Sequence, residues 1–290
     1  MSQHDINAEK RERVRADWDE AADHWATWEP SIHNLLWPVS VRLAAGARLK
    51  AGMKVLDVGT GTGDMALFAA GVVESSGSVV GIDLSEDMLQ TASDRARVLG
   101  HANVSFEQAS GDRFAAEGQS FDAIVGRFSA FFFPDVVAGL SHLRTLLKPG
   151  GRASFSLWTP PEVNPVFGIP RDALAPFTEG QQEADAFNPF RLSGPGLFAT
   201  AMKEAGYAEV TDEEVGLYQF APGCEAYWDI LVKVSTSFRK QYDVLSEQDQ
   251  QAVRQSVLKQ ISQYENNGIV RVPAKARVVC GDSNLIAREM

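Results

Sequence analysis

Residues 53–158 alternate short apolar runs with longer stretches of helical period, and this rhythm limits the fold more than any other feature. MKVLDVG, GSVVGIDL, NVSFEQAS, FDAIVGRF and RASFSLW are too short for helices and read as strands. DMALFAAGVVE, SEDMLQTASDRARVLG and VVAGLSHLRTLLKPGG carry the spacing of an apolar helical face. Ser85 is placed to cap the second of these helices and Gly100 to end it. Strands that alternate with helices are joined by crossovers rather than hairpins. The expected fold class is therefore α/β, a doubly wound, mostly parallel sheet with helices on both faces.

The flanks have a different character. From about Ala8 to Trp28, Val14, Trp18, Ala21, Trp25 and Trp28 recur three or four apart and form one apolar stripe, and Pro30 stops that helix. Residues 1–8 read as disordered. A second helix is expected near His33 to Lys50. TPPEVNPVFGIPRDALAPF is proline-rich with no sheet period and reads as an insertion or cap. GPGLFATAMKEAGY returns to helix with Gly206 at its end, and AEVTDEEVGLYQF reads as a strand. Residues 246–264 form a helix capped by Ser246, and ARVVCGDS is a last strand. The expected organisation is a helical flap over 1–50, a ligand-binding core over 51–160, a cap insertion over 161–200, and core completion over 201–290.

Composition removes several function classes. The net charge is −11, which repels nucleic acid and anionic lipid. No apolar run reaches the roughly 20 residues of a membrane span. Cys224 and Cys280 stand far apart in no metal-ligand spacing, so no metal is expected, and they suit a reducing compartment. MSQHDINAEKRERVRADWDE is too charged for a signal peptide, so a cytoplasmic location is expected. The expected partner is a small molecule; oligomeric state is not encoded in any visible pattern.

VLDVGTGTGDMAL joins the first strand to the next helix through Gly59, Gly61 and Gly63. A dinucleotide turn would need its third glycine at 64, where this chain has Asp64. A phosphate loop would need a following Gly-Lys-Ser/Thr. Asp57 and Asp64 both oppose an anion at this helix start and favour a cationic group. Asp83 ends the second strand, where an acid can accept hydrogen bonds from both ribose hydroxyls. A cationic amino-acid end joined to a ribose outlines S-adenosylmethionine.

VLDVGTGTGD, VVGIDLSEDML, FDAIVGRFSAFFFPD and LLKPGGRASFSLW, in this order, resemble the class I S-adenosylmethionine-dependent methyltransferases. The closer resemblance is to the group containing ubiquinone and menaquinone C-methyltransferases and many natural-product enzymes. It covers about residues 50–160, and FRLSGPG and the last strand fit more loosely. The resemblance implies that Asp57, Gly59, Thr60, Gly61, Thr62 and Gly63 run under the methionine part of the cofactor. It places Asp83 on the ribose and Leu84 and Met88 on the adenine, although a methionine on an apolar helix face is more often core. The adenine amino group would be met at Ser110-Gly111 or at Asp112. Arg127, followed by Phe128, would meet the methionine carboxylate or Asp57.

Methyl transfer from a sulfonium needs orientation above all, and a base only if the acceptor must lose a proton. His24 and His33, in the flap, are the candidate bases, with His33 preferred for its place beside Trp37. His101 and His142 read as surface residues. Strand C-terminal ends form the ligand crevice in such sheets, so Phe128 to Phe133 and Trp158 should face it, and Phe131 to Phe133 cannot all face the same way. Trp25, Trp37, Phe132 and Trp158 are the expected substrate contacts, with Arg191 able to meet an anionic group. The expected activity is methylation of a small apolar or aromatic metabolite at carbon or oxygen. The alternatives are an S-adenosylmethionine-binding enzyme without methyl transfer, such as a cyclase, and a nicotinamide-dependent oxidoreductase. RFSA at the end of strand four, in place of an Asn/Asp-Pro-Pro-Tyr-like motif, speaks against nucleic-acid methylation.

Overall fold

A computed structural model describes residues 3–117, 119–178 and 188–284. Two long helices open the chain, α1 (Gln3–Thr27) and α2 (Glu29–Gly46). The alternating region follows: β1 (Lys54–Val58), α3 (Asp64–Val73), β2 (Ser78–Asp83), α4 (Glu86–Leu99), β3 (Val104–Gln108), β4 (Phe121–Arg127), α5 (Val136–Leu146) and β5 (Leu147–Trp158). The rest comprises α6 (Pro165–Leu174), α7 (Leu197–Glu204), β6 (Ala208–Ala221), α8 (Cys224–Val234), α9 (Thr236–Tyr242), α10 (Glu247–Ile261), β7 (Glu265–Asn266) and β8 (Ile269–Asp282). The sheet order is β3-β2-β1-β4-β5-β8-β6, with β7 paired to β8. Strands β1 to β5 are parallel, and β8 runs antiparallel between β5 and β6.

Burial explains the strand sequences. Val55, Leu56, Ile124 and Val125 are fully buried because helices cover both faces of the central strands. On one face Leu56, Ile124 and Phe155 pack with Leu140, Leu143, Phe198 and Met202 of α5 and α7. On the other, Val55 and Val125 pack with Met65, Ala66 and Ala69 of α3 and with Val39 and Leu43 of α2. At the edge, β6 alternates buried and exposed residues over its second half, as a strand with one wet face does.

The helix ends follow the cap chemistry. Ser85 Oγ accepts the Met88 N–H at 3.2 Å, and Gly100 ends α4 at a φ of +74°. Ser246 caps α10 through the Asp249 N–H at 3.2 Å.

Several expectations about the flanks change. Helix α1 begins at Gln3, inside the stretch read as disordered. Pro30 does not stop a helix but sits in the first turn of α2, where its missing N–H costs nothing. Helix α2 packs mainly on the sheet and α1 lies over the strand ends, with Leu36 of α2 beside it at the cavity. The cap is assembled from distant segments: Ile169, Ala173 and Leu174 of α6 pack with Tyr227, Trp228, Phe238, Val253, Val257 and Ile261 of α8 to α10, against Val270 and Val272 of β8. His142, expected at the surface, is half-buried, and its Nε2 lies 2.9 Å from the Phe114 carbonyl oxygen.

Among the described residues, no helix is long and apolar enough to cross a membrane.

Candidate functional site

The strand order reverses between β1 and β4, and a cavity of about 120 Å³ opens at the C-terminal ends of the strands there. Four strand ends build it: β1 through Val58 and the glycine turn, β2 through Asp83 and Leu84, the turn after β3 through Ala109, Ser110 and Gly111, and β4 through Arg127, Phe128 and Ser129. Helix α1 closes it with Arg11, Val14, Trp18 and Trp25.

The glycine turn needs its glycines. Gly59 has a φ of +68°, and a Cβ there would lie 2.3 Å from the Ser129 Cβ. Gly61 has a φ of +53°, and its N–H donates to Asp83 Oδ2 at 2.8 Å. The other oxygen of Asp83 accepts the Ser85 N–H at 3.0 Å. Burial pushes the Asp83 carboxyl up, against these backbone donors that lower it. The two N–H groups fix the carboxylate at the cavity wall.

Asp57 sits beneath the turn rather than on the wall. It is fully buried, and Oδ2 accepts the Thr60 hydroxyl at 2.7 Å. Burial pushes its carboxyl up to about 7, against the Thr60 hydrogen bond and the charge of Arg127. Its Oδ1 is buried with no hydrogen-bond partner among the described residues.

Asp64, expected to add a second negative charge under the ligand, is spent elsewhere. Its Oδ2 accepts Arg127 Nη1 at 2.7 Å, and its Oδ1 faces His33 Nδ1 at 2.9 Å and Arg95 Nη2 at 3.4 Å. Burial raises this carboxyl, but Arg127 and His33 outweigh that and hold it well below the usual carboxylate range. Arg127 lines the cavity and is fixed by Asp64 and by Ser40 Oγ at 2.8 Å, not by Asp57.

Thr60, Gly61, Thr62, Leu84, Met88, Ser110, Gly111, Phe128, Trp25 and Phe132 are all on the wall, as the sequence suggests. Of the phenylalanine run, Phe132 and Phe133 line the cavity and Phe131 is buried in the core. Phe128 holds a φ of +57°, a strained value for an aromatic residue, with its N–H donating to Ser156 Oγ at 3.1 Å.

Other expected contacts lie off the wall. Gly63 caps α3, where a Cβ would meet Ala92 at 2.8 Å. Asp112 turns away toward Arg11, which grips both its carboxylate oxygens, and it also accepts the Ser110 hydroxyl. Trp158 stands one ring behind, stacked on Phe128 with centroids 4.0 Å apart. Arg191 donates to the Phe133 carbonyl instead of entering the cavity. His33 and Trp37 open onto a separate cleft with Glu29, Asp64, Phe68, Arg95 and His101, so His33 is not placed as a base for a ligand in the main cavity. The side chain of His24 lies outside the described residues. Missed from sequence were Arg11, whose partner Asp112 is 101 residues away, and Ser129, which fills the space above Gly59. The stripe from Val14 to Trp25 was the available signal for α1, but it fixes a face and not what the face covers.

Residues 55–151 match the methyltransferase domain family. The chain is 32% identical over 199 residues to nocamycin O-methyltransferase of Saccharothrix syringae, covering 65% of this chain and 71% of that one. It is 32% identical over 186 residues to an aklanonic acid methyltransferase of a Streptomyces species, covering 60% and 83%. The fold is shared with the YcgJ protein of Bacillus subtilis, at a TM-score of 0.55 and 20% identity over 88% of this chain and 99% of that one. Asp83 and the glycine turn thus meet at one cavity, with Asp57 buried beneath it, in a chain that belongs to the class I S-adenosylmethionine-dependent methyltransferases.

Proposed function

We propose that the cavity holds S-adenosylmethionine against its α3 side, with a small apolar or aromatic metabolite under α1, and that carbon or oxygen is methylated. The observation that carries the reading is the make-up of the cavity wall. It combines polar groups, Asp83 and the glycine turn, with the apolar and aromatic side chains of Val14, Trp18, Trp25, Phe132 and Phe133.

The residues present fit the cofactor. Asp57 Oδ1, buried beneath the turn with no hydrogen-bond partner among the described residues, places an acceptor charge under the position an ammonium group would take. The open space at Gly61, where a Cβ would meet nothing within 4 Å, admits a ligand against bare backbone. Asp83, already oriented by two N–H groups, accepts the ribose hydroxyls. Leu84 and Met88 pack on the base, and Ser110 and Gly111 meet its edge. Asp112 is bound to Arg11, which favours Ser110 as the polar contact. Arg127 neutralises the methionine carboxylate.

S-adenosylmethionine supplies the electrophilic methyl group. The chain's task is to hold the acceptor in line with it and exclude water, which α1 does by closing the cavity. The aromatic wall orients a flat acceptor and faces the sulfonium charge. Both curated relatives carry methyl transfer in their names, one of them to oxygen, and this supports methylation over a cofactor-binding cyclase.

Asp83→Ala should abolish S-adenosylhomocysteine binding in calorimetry, and unchanged affinity would sink the site assignment. Incubation with cofactor and candidate aromatic polyketides or quinols, scored by a gain of one methyl mass, tests the acceptor class. Methylation of polar amines alone would overturn it.

A further inference from the structure

We propose that His33 is a positioning residue for the amino-acid end of the cofactor, acting through Asp64 on Arg127; this rests on the cavity being the S-adenosylmethionine site. Arg127 reaches the cavity wall from the end of β4, and two groups fix Nη1: Ser40 Oγ at 2.8 Å and Asp64 Oδ2 at 2.7 Å. Both guanidinium and carboxylate are almost fully removed from water, at 9% and 8% side-chain exposure. Asp64 is therefore the part that aims Arg127, and whatever holds Asp64 aims it too.

The other oxygen of Asp64 is held from the separate cleft. An ionised carboxylate only accepts hydrogen bonds, so His33 Nδ1–H donates to Oδ1 at 2.9 Å. The ring is fixed on its face by Trp37, stacked with centroids 5.1 Å apart. Arg95 also approaches Oδ1 at 3.4 Å, but it is bound more closely to Glu29, at 2.6 Å. Without His33, Arg95 is the partner that remains on that side among the described residues. Asp64 is then drawn toward α4 and away from Arg127.

Two rival readings of this cluster fail on its own geometry. Glu29, His33 and Asp64 bring their ligand atoms within 4.8 Å of one another, as a metal centre would. Arg95 Nη2 already stands between the two carboxylates, so a cation of the chain's own fills that position. Nor is His33 a packing residue. Its side chain is 38% exposed, and α2 is anchored to the sheet by Val39, Leu43 and Ala44 further along.

The test uses two ligands. S-adenosylhomocysteine carries the amino-acid carboxylate, whereas 5′-methylthioadenosine has the same nucleoside and thioether without it. In calorimetry, His33→Ala should weaken S-adenosylhomocysteine roughly tenfold, the value of one hydrogen bond to a charged group. It should leave methylthioadenosine affinity unchanged. His33→Asn, whose amide N–H can replace Nδ1–H, should recover affinity to within about twofold. Equal loss for both ligands, no loss for either, or no rescue by His33→Asn would overturn the proposal. If the unaltered protein bound neither nucleoside, the cavity assignment itself would fall, a result distinct from a failure of the His33 variants alone.

Discussion

Single residues beneath the cavity are held in states that water would not choose. Asp57 is the sharpest case, since burial moves its carboxyl up to about 7. A carboxyl raised in the folded chain binds more protons there than in the unfolded chain, so stability declines as pH rises from about 4 to 7. Asp57→Asn should flatten that decline, as followed by urea unfolding at several pH values. A cationic ligand end prefers the ionised form, so S-adenosylhomocysteine affinity should rise through pH 7, and Asp57→Asn should remove that rise. Gly59 illustrates a different restriction. Its φ of +68° and the 2.3 Å approach to Ser129 leave no room for a side chain. Gly59→Ala should cost about 2 kcal/mol or more in denaturant unfolding, the upper part of the range for overpacking.

At the scale of elements, α1 is joined to the turn after β3 by one ion pair that is largely removed from water, Arg11 with Asp112. A second set ties α1 to α9, with Lys240 Nζ 2.7 Å from Asp17 and 3.1 Å from Glu20. Arg11→Ala leaves Asp112 without its partner and frees one end of the helix. Limited proteolysis should then cut within residues 3–27 faster, while the thermal midpoint of the remainder holds.

The same scale separates what could be read from the sequence from what could not. Strands β1, β2, β4 and the RASFSLW part of β5 were legible because burial demands apolar runs, the half-exposed edge strand β3 was legible from its place in the alternation, and Ser85 and Gly100 marked α4 through local chemistry alone. The first half of β8 was not legible, because Pro273 argues against an interior strand. It is tolerated because the pairing of β5 with β8 ends at Ala276, so Pro273 faces only Tyr218 of β6. The site divided in the same way. The turn, Asp83 and Met88 follow from contiguous motifs, whereas the directions of His33, Trp37 and Asp112 depend on partners 31, 31 and 101 residues distant or on packing across α2 and α3.

For the molecule as a whole, the last strand is structural and not peripheral. β8 fills the gap between β5 and β6 and carries Val270, Val272, Ala274, Ala276 and Val279, all essentially buried. A chain shortened before Ile269 should lose both the sheet edge and the floor of the cap, and circular dichroism should show no cooperative unfolding transition.

The aromatic residues add an optical property. Of six tryptophans, Trp18 and Trp25 line the cavity, and Trp158 lies stacked on Phe128 of its wall. Half of the tryptophans therefore stand on or just behind the wall of one cavity, where the adenine ring of the proposed cofactor would approach them. Emission should be quenched on titration with S-adenosylhomocysteine, and Trp18→Phe with Trp25→Phe should remove most of that change. The protein thus carries its own fluorescent gauge of occupancy, and the order in which cofactor and acceptor arrive can be timed without any label.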